Sequence, residues 1–241
     1  MADYEKQKMN AAIKAAEYVR SGMIVGLGTG TTSYYLINEI GRRVREEGLK
    51  IRAVCTSRRT EDLAKQNGIE VIQGTKDQID LTIDGADQVG MYGTLIKGGG
   101  GALLREKIVA YNSKEMYVIV DSRKIEAAHF GSFPLPVEIV PFMHMRTLEN
   151  LRGICTQTDL RMNEKGEPFV TDNGNYIADM HMGMIDDPIN LERSLKSIPG
   201  VVEVGLFNGI AKRIFEGTDE GCNIYSITNS GIKKEEVYFD P

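Results

Sequence analysis

The sequence predicts an α/β protein, with a doubly wound, mostly parallel sheet and a smaller α+β domain of ferredoxin-like βαββαβ order. Two observations support this prediction. Over roughly the first 130 residues, apolar runs of strand length alternate with stretches of helical spacing. After Pro134 and Pro136 this alternation stops, and the order becomes strand, helix, strand, strand, helix, strand. A chain of 241 residues has room for one or two domains.

The doubly wound part begins with an amphipathic helix whose apolar residues recur between Met9 and Val19 and which Gly22 would end. The strands predicted after it are residues 23–27, 51–55, 71–72, 81–83 and 116–120. The helices predicted between them are residues 33–46, 60–66 and 102–110. Because these apolar runs are short and do not alternate with polar residues, we expect strands that are buried on both faces.

The smaller domain is predicted to contain four strands and two helices. The strands are residues 137–140, 154–161, 176–180 and 201–206, and the helices are residues 145–151 and 191–198. An Asn-Gly pair at residues 173–174 would form the turn between the two middle strands. We therefore expect residues 134–207 to form the small domain, and residues 1–133 and 208–241 a Rossmann-like catalytic domain.

Composition narrows the classes of partner. The chain has 29 Lys and Arg against 34 Asp and Glu, a formal charge of −5, which argues against nucleic acid or an anionic membrane as the main partner. Its three cysteines are far apart and form no CxxC pair, and its three histidines have no metal-ligand spacing. The start of the chain is charged, and no apolar run has the length of a signal or membrane span. We expect a cytoplasmic protein without a metal site.

The first candidate motif is the glycine and threonine segment from Gly26 to Thr32, between a predicted strand and a predicted helix. Backbone N–H groups and a helix N-terminus in this position can hold a phosphate. The spacing is GxGxG, and no Lys follows the last glycine, which weakens a dinucleotide or nucleoside triphosphate interpretation. The three threonines favour a phosphate monoester. A tight turn that requires glycine for steric reasons is the alternative.

The second motif, Asp84-Gly85-Ala86-Asp87, follows the predicted strand 81–83 at the edge where open α/β sheets bind ligands. Its carboxylates could accept hydrogen bonds from sugar hydroxyls, move protons or hold a divalent metal. An Asp-Gly turn in which Asp87 caps the next element is the alternative.

The third motif combines Lys97 and the glycines 98–101 with the helix that follows them. Four consecutive glycines suit a main chain that approaches a ligand more closely than a Cβ atom permits. The spacing predicts that Leu104, Ile108 and Tyr111 form the core stripe of this helix, so that Glu106 lies off the core face. Because helical side chains lean toward the N-terminus, the Glu106 carboxylate would point back toward the glycines and the Lys97 amine. A mobile hinge followed by a solvated charged face is the alternative.

Two further lysines are weaker candidates. Lys124 follows the predicted strand 116–120 and could reach a ligand at the same sheet edge. Lys8 belongs to the first predicted helix. An ordinary surface position is the alternative for both side chains.

Five blocks together resemble the ribose-5-phosphate isomerase type A family, and the resemblance covers nearly the whole chain. The blocks are residues 28–32, 84–87, 95–108, 134–138 and 171–175. The resemblance implies interconversion of ribose 5-phosphate and ribulose 5-phosphate in the pentose phosphate pathway, without metal or cofactor. It also implies a small-molecule sugar phosphate as the binding partner and a homodimer or homotetramer as the assembly.

Carried over by position, the resemblance makes Glu106 the base that moves a proton between two carbons through an enediolate. Lys97 and Asp84 would assist ring opening and stabilise charge on oxygen, and Asp87 would hold hydroxyls. The substrate-binding residues that it implies are Thr29, Gly30, Thr31, Thr32, Asp84, Gly85, Ala86, Asp87, Lys97, Gly98, Gly99, Gly100, Lys124 and Lys8.

The sequence departs from the family pattern at a few positions. Gln88 stands where an acid is usual, Thr31 replaces a serine, and Met9 follows Lys8 where a second lysine is common. Residues 208–213 lack the expected Ala-Asp pair. None of these changes removes a proposed catalytic group.

Two other functions remain open from the sequence. Proteins of the same fold group include non-catalytic sugar-phosphate sensors, although the presence of Lys97 and Glu106 argues against this function. A Mg²⁺-dependent phosphotransferase or phosphatase that uses Asp84 and Asp87 is the second alternative.

Overall fold

The structure is a computed structural model that describes residues 2–125, 129–228 and 231–239. The chain divides into two compact units. Unit 1 holds the described residues of Met1–Ala86, Arg105–Ile125 and Gly209–Pro241, and unit 2 those of Asp87–Leu104 and Glu126–Asn208. No helix in the described residues is both long and apolar enough to span a membrane.

The secondary-structure elements are numbered in chain order. The helices are α1 (Tyr4–Ala16), α2 (Thr31–Glu46), α3 (Arg58–Gln66), α4 (Leu103–Tyr111), α5 (His144–Arg152) and α6 (Pro188–Lys196). The strands are β1 (Ile24–Leu27), β2 (Arg52–Cys55), β3 (Glu70–Val71), β4 (Leu81–Asp84), β5 (Gln88–Val89), β6 (Leu95–Ile96), β7 (Met116–Asp121), β8 (Leu135–Ile139), β9 (Thr158–Leu160), β10 (Tyr176–Met180), β11 (Val201–Val204), β12 (Leu206–Phe207), β13 (Ala211–Gly217), β14 (Gly221–Thr228) and β15 (Gly231–Tyr238).

Unit 1 contains an eight-stranded sheet in the order β15-β14-β13-β7-β4-β1-β2-β3. From β3 to β13 all neighbouring strands are parallel, and Val25 of β1, for example, lies opposite Ala53 on one side and Leu81 on the other. The strands β14 and β15 add an antiparallel hairpin at one edge. The parallel part has the strand order of a doubly wound dinucleotide-binding fold, which confirms the predicted class.

Burial explains why these segments form this sheet. Every residue of β1, β4 and β7 is buried, as expected for runs that are covered on both faces. Helix α1 packs through four alanines at positions 11, 12, 15 and 16, and α2 buries Leu36, Ile37 and Ile40 at helical spacing. The helices and strands that were predicted in this part therefore agree with the structure to within a few residues, except that α1 starts earlier and ends at Ala16. The strands β13, β14 and β15 were not predicted.

The buried face of α4 differs from the predicted one. Ile108 and Tyr111, which were expected in the core, are 52% and 80% exposed. The buried residues of the helix include Leu103, Glu106 and Ala110, spaced three and four residues apart. The helix has two rows of residues at helical spacing, and the row that contains Glu106 is the buried one. The prediction of a carboxylate off the core face was therefore wrong.

Unit 2 contains a four-stranded antiparallel sheet in the order β11-β8-β10-β9. Numbered along the unit, this order is 4-1-3-2, with α5 after the first strand and α6 after the third, which confirms the ferredoxin-like βαββαβ prediction. Alternate residues of β8, namely Leu135, Val137 and Ile139, enter one core with Leu148 of α5 and Leu195 of α6.

A second, three-stranded sheet of unit 2 was not predicted. It has the order β12-β6-β5, and its strands are only two residues long. The predicted strand 201–206 is split by Gly205, where a Cβ atom would lie 2.3 Å from the Lys97 carbonyl oxygen. Because β5 and β6 pair with β12, residues 87–104 cluster with unit 2 and not with the larger domain, to which they were predicted to belong. The boundaries 134–207 remain a prediction.

The connection between β9 and β10 is longer than expected, because β9 ends at Leu160. The predicted Asn-Gly turn lies at the end of this connection. Gly174 has a φ of +79° and donates its N–H to the Thr171 carbonyl oxygen at 2.9 Å. A positive φ is the conformation for which glycine is suited at this position.

Candidate functional site

Three neighbouring strands of unit 1 end at the same edge of the sheet. The strands β7, β4 and β1 are parallel, and they are followed by residues 122–124, 85–86 and 28–32, respectively. Between β1 and β4 the strand order reverses, because the chain runs outward through β2 and β3 and then returns to β4. Such a switch point is where open α/β sheets bind ligands.

Asp84 is held rigidly at this switch point. Its side chain is fully buried, and its Oδ1 accepts hydrogen bonds from the Thr29 N–H at 3.1 Å and the Gly85 N–H at 2.7 Å. Gly28 allows this arrangement, because a Cβ atom there would lie 1.9 Å from Asp84 Oδ1. The loop after β1 and the Asp84 carboxylate therefore specify each other's positions.

The loop leads into the N-terminus of α2. Gly30, with a φ of +138°, is the N-cap residue, and no side chain of the described chain caps this helix, whereas α1, α3 and α6 are capped by Asp3, Ser57 and Asp187. First-turn N–H groups without a side-chain cap can bind an anion, and the helix dipole favours it.

The threonines of this loop differ in their surroundings. The Thr29 hydroxyl lies 2.7 Å from the Thr56 hydroxyl oxygen and 2.8 Å from that of Ser57, within an internal hydroxyl cluster. Thr31 is exposed and Thr32 is buried at the start of α2. Thr29 therefore anchors the loop, while Thr31 and Thr32 begin the helix.

The two candidate lysines of unit 1 lie on different elements. Lys8 is a buried residue of α1, and its Nζ donates to Glu5 Oε1 at 2.7 Å. This hydrogen bond, together with one from the Tyr35 hydroxyl, holds the pKa of Glu5 below its ordinary value. Lys124 ends a short 3-10 helix, Ser122–Lys124, directly after β7.

Glu106 lies in the first turn of α4 and is only 3% exposed. Carboxylates are almost never fully buried unless they are paired or hydrogen-bonded, because desolvation of the charge is costly. Glu106 therefore does not belong to a solvated charged face, and it remains a candidate for the base.

Unit 2 contributes the other candidate cation. Lys97 follows β6 and is 2% exposed, which makes it one of the largest fully buried side chains of the described residues. Its Nζ lies 5.5 Å from the centre of the Phe207 ring, and its backbone N–H donates to the Gly205 carbonyl oxygen at 2.9 Å. A cation over an aromatic face is stabilised by the ring quadrupole.

The glycine loop after Lys97 is an ordered turn. Gly98 has a φ of +104° and Gly101 one of +80°, and the Gly101 N–H donates to the Gly98 carbonyl oxygen at 3.0 Å. Asp87 Oδ2 accepts from the Gly99 N–H at 2.6 Å. Gly99 and Gly100 at the apex are exposed. These hydrogen bonds give the loop a defined turn conformation, and a mobile hinge stays the alternative.

Two polar residues near these motifs have partners that the sequence analysis did not find. Gln88 donates through Nε2 to the His129 carbonyl and the Ser132 hydroxyl, and its Oε1 accepts from the Gly131 N–H. An ionised acid could not donate in this way, which explains the departure at this position. Arg161 contacts the glycine loop from a distant part of the chain, and no motif marks it.

The predicted site residues thus form two sets. Unit 1 holds Lys8, Thr29, Gly30, Thr31, Thr32, Asp84, Gly85, Ala86, Glu106 and Lys124, and unit 2 holds Asp87, Lys97, Gly98, Gly99 and Gly100. Among the residues that the structure describes, no group of three or more His, Cys, Asp or Glu could hold a metal ion. Buried ionisable groups beside the ligand-binding edge of a doubly wound sheet are typical of α/β enzymes that act on small polar substrates.

Comparison with known proteins identifies the family. The sequence profile of "Ribose 5-phosphate isomerase A (phosphoriboisomerase A)" matches residues 52–221. The chain is 67% identical over 240 residues to "Ribose-5-phosphate isomerase A" of Thermoplasma volcanium, covering 99% of this chain and 100% of that protein. It is 47% identical over 224 residues to the protein of the same name from Picrophilus torridus, covering 93% and 99%.

Solved structures agree with this result. Ribose 5-phosphate isomerase A from Methanocaldococcus jannaschii superposes with a TM-score of 0.84 at 37% identity, covering 97% of this chain and 99% of that one. A D-ribose-5-phosphate isomerase in complex with phospho-erythronic acid gives 0.86 at 35% identity, covering 98% and 100%. The chain belongs to the ribose 5-phosphate isomerase A family and is an isomerase. The names of these relatives give no support to a non-catalytic sensor.

Proposed function

We propose that the chain interconverts ribose 5-phosphate and ribulose 5-phosphate with Glu106 as the base. The observation that carries the proposal is the nearly complete burial of Glu106 in the first turn of α4, in a chain that belongs to this isomerase family. The carboxylate removes the proton from C2 of the open-chain aldose, giving an enediolate, and returns it to C1, while the proton of the C2 hydroxyl passes to the C1 oxygen. A general base of this kind contributes on the order of 10²- to 10⁴-fold to the rate.

Lys97 and Asp84 assist this proton transfer. An α-proton becomes acidic only if charge that develops on the adjacent oxygen is stabilised, and a buried ammonium group is well suited to that task. Lys97 is buried over Phe207, and Asp84 is fixed by two backbone N–H groups, so neither group has to reorganise during the reaction. Asp84 also assists ring opening by accepting the proton of a sugar hydroxyl.

The phosphate of the substrate is bound by residues 29–32, Lys124 and Lys8. The support is the α2 N-terminus, where Gly30 serves as a cap without a side chain, with Thr31 and Thr32 in the first turn. The formal charge of −5 makes such a local anion site necessary, since the protein as a whole does not attract a dianion.

The sugar hydroxyls are bound by Gly85, Ala86 and Asp87 and by the glycines 98–100. The exposed apex of the glycine loop allows a ligand to approach the main chain closely. A solved relative binds phospho-erythronic acid, which has a carboxylate and a phosphate at opposite ends of a hydroxylated chain. A ligand of this type is a suitable probe for both ends of the site.

The test is conversion of ribose 5-phosphate by the purified full-length chain, with and without a chelator. We expect ketose formation at the same rate in both conditions, because the proposed roles require no metal. Complete loss of turnover in the chelator would favour the Mg²⁺-dependent alternative. Binding of the sugar phosphate without ketose formation would favour the sensor.

We further propose a homodimer or homotetramer in a reducing cytoplasm, with no nucleic acid or membrane partner. Three free cysteines support the compartment. Several large apolar side chains are exposed in the single chain, among them Phe142 and Met143, and such side chains suit an interface between copies. Light scattering coupled to size-exclusion chromatography measures the assembly state, and a monomer would contradict this proposal.

A further inference from the structure

We propose that Arg161, held by Asp179, is a positioning residue that fixes the orientation of the glycine loop, residues 97–101. This inference rests on the proposed function, in which the glycines 98–100 bind sugar hydroxyls and Lys97 stabilises charge on the substrate oxygen. It concerns contacts within unit 2 only.

The guanidinium group of Arg161 joins two partners. Its Nε and Nη2 donate to the two carboxylate oxygens of Asp179 at 2.8 and 2.5 Å, a bidentate pair. Its Nη1 donates to the carbonyl oxygens of Gly98 at 2.8 Å and Gly99 at 3.1 Å. The side chains of Arg161 and Asp179 are 15% and 20% exposed, so solvent competes only weakly for these bonds.

The peptide group between Gly98 and Gly99 is thereby hydrogen-bonded through both its carbonyl oxygen and its N–H. Its carbonyl oxygen accepts from Arg161, and its N–H, which belongs to Gly99, donates to Asp87 Oδ2 at 2.6 Å. A glycine peptide can rotate as a unit more easily than any other, because no Cβ atom restricts the flanking dihedral angles. The hydrogen bonds to Arg161 and Asp87 prevent that rotation.

Phe169, eight residues after Arg161, supports the C-terminal end of the loop at Gly101. The Phe169 ring lies against Gly101, where a Cβ atom would be 2.5 Å from Phe169 Cε1. The Arg161 guanidinium carbon is 6.0 Å from the centre of that ring, and the Phe169 N–H donates to the Arg161 carbonyl oxygen at 2.8 Å. Arg161 and Phe169 therefore form one support for the run of glycines.

This arrangement differs from an ordinary surface salt bridge. An exposed Arg–Asp pair contributes little to stability, and its loss would leave the reaction unchanged. Here the guanidinium fork matches a carboxylate on one side and two main-chain carbonyls on the other. A lysine keeps the charge, but its single ammonium group cannot replace the planar fork.

The test compares Arg161→Lys, Asp179→Asn and the double variant in the full-length chain. The matched control is Arg152→Lys, because Arg152 also donates to a carboxylate, Glu149, and to a main-chain carbonyl, that of Thr158, within the same unit. The readouts are kcat and KM for ribose 5-phosphate, the melting temperature, and amide hydrogen exchange of the segment 97–101 without substrate.

We expect Arg161→Lys to lower kcat roughly 10- to 100-fold per folded molecule, with a smaller change in KM, since a misplaced loop impairs the transition state more than binding. Asp179→Asn should lower kcat in the same direction, and the double variant should be no slower than Arg161→Lys alone. Amides of residues 97–101 should exchange faster in both single variants. Arg152→Lys should keep wild-type kcat and exchange.

Several results would overturn the proposal. Unchanged exchange in the loop, effects on kcat that add in the double variant, or a lower melting temperature with wild-type kcat per folded molecule would each do so. If Arg161→Lys does not fold, Asp179→Asn decides by the same criteria. Absence of turnover in the wild-type chain would refute the proposed function, and with it the catalytic part of this inference, whereas hydrogen exchange reports on the loop support independently.

Discussion

Replacing Gly28 by alanine perturbs the candidate site where the loop after β1 approaches Asp84 closely. The new methyl carbon would lie 1.9 Å from Asp84 Oδ1 and 2.6 Å from the α-carbon of Asp84. Non-bonded carbon contacts are favourable at about 3.5 to 4.0 Å, so the separation from the α-carbon is too short by roughly 1 Å, and the oxygen lies closer still. Because one of the two atoms belongs to the main chain, a change of the Asp84 rotamer alone cannot relieve the clash.

Either strand β4 or the loop after β1 must therefore move. Overpacking of this kind destabilises a protein by about 1 to 3 kcal/mol. Movement of the loop also breaks the hydrogen bond from the Thr29 N–H to the Asp84 carboxylate. A displacement of about 1 Å in a catalytic group can lower the rate by on the order of 100-fold. We expect Gly28→Ala to lower both the free energy of unfolding and kcat/KM for ribose 5-phosphate, the latter more than tenfold.

Urea unfolding and initial rates of ketose formation measure the two effects. Gly74→Ala is the matched control, because a Cβ atom at Gly74 has no neighbour within 4 Å, and we expect it to behave as the wild-type chain. Wild-type stability and activity of Gly28→Ala would refute the argument that the loop and the carboxylate specify each other's positions.

Two further predictions concern ionisable groups outside the glycine loops. Burial alone would raise the pKa of the Asp121 carboxyl, but hydrogen bonds and charge from Arg123 hold it below its ordinary value. A carboxyl group whose pKa is lowered by folding stabilises the fold at pH values above its ordinary pKa, and this stabilisation is lost as the pH falls through the pKa of the folded state. The difference in the free energy of unfolding between wild type and Asp121→Asn, measured with urea, should therefore shrink below about pH 4. A difference that grows there would contradict this assignment. Burial raises the pKa of the Cys55 and Cys222 thiols to about 12, so neither should react readily with a disulfide reagent at pH 8 in the native protein, as mass mapping would show, and rapid modification of either would refute it.

Local sequence determines much of the doubly wound sheet. Five of its strands are short apolar runs, and Gly28, Asp84 and Asp121 directly follow three of the predicted runs, so these strands and the ligand-binding edge could be predicted from neighbouring residues. The strands β13, β14 and β15 were not predicted. The order of the strands could not be predicted in this way, because it depends on pairing between segments that are distant in the chain.

Helix α4 shows where pattern reasoning fails. Leu104, Ile108 and Tyr111 have the spacing of a core face, but Leu103, Glu106 and Ala110 are the residues that are buried. In a nine-residue helix both stripes satisfy the same periodicity, and only tertiary packing decides between them. Glu106 was predicted as a candidate from the glycines before it, from the family resemblance and from an orientation off the core face, and the last of these three arguments was wrong.

The support of the second glycine loop lies beyond any local signal. Arg161 reaches Gly98 across 63 positions of sequence, and the Lys97 Nζ lies over Phe207, a residue of β12, which pairs with β6 just before Lys97. Strands this short carry no detectable periodicity. The residues of the motif could therefore be predicted, but the groups that hold them in place could not.

The central claim is that Glu106 moves the proton between C1 and C2. Incubation of the Glu106→Gln variant with ribose 5-phosphate in D₂O, followed by NMR, monitors both ketose formation and exchange of the C2 proton, and calorimetric titration with phospho-erythronic acid monitors binding. The amide keeps the size of the side chain but cannot act as the base, so we predict unchanged binding and a loss of both ketose formation and exchange by on the order of 10²-fold or more. Ketose formation or C2 exchange at close to the wild-type rate in this variant would contradict the account.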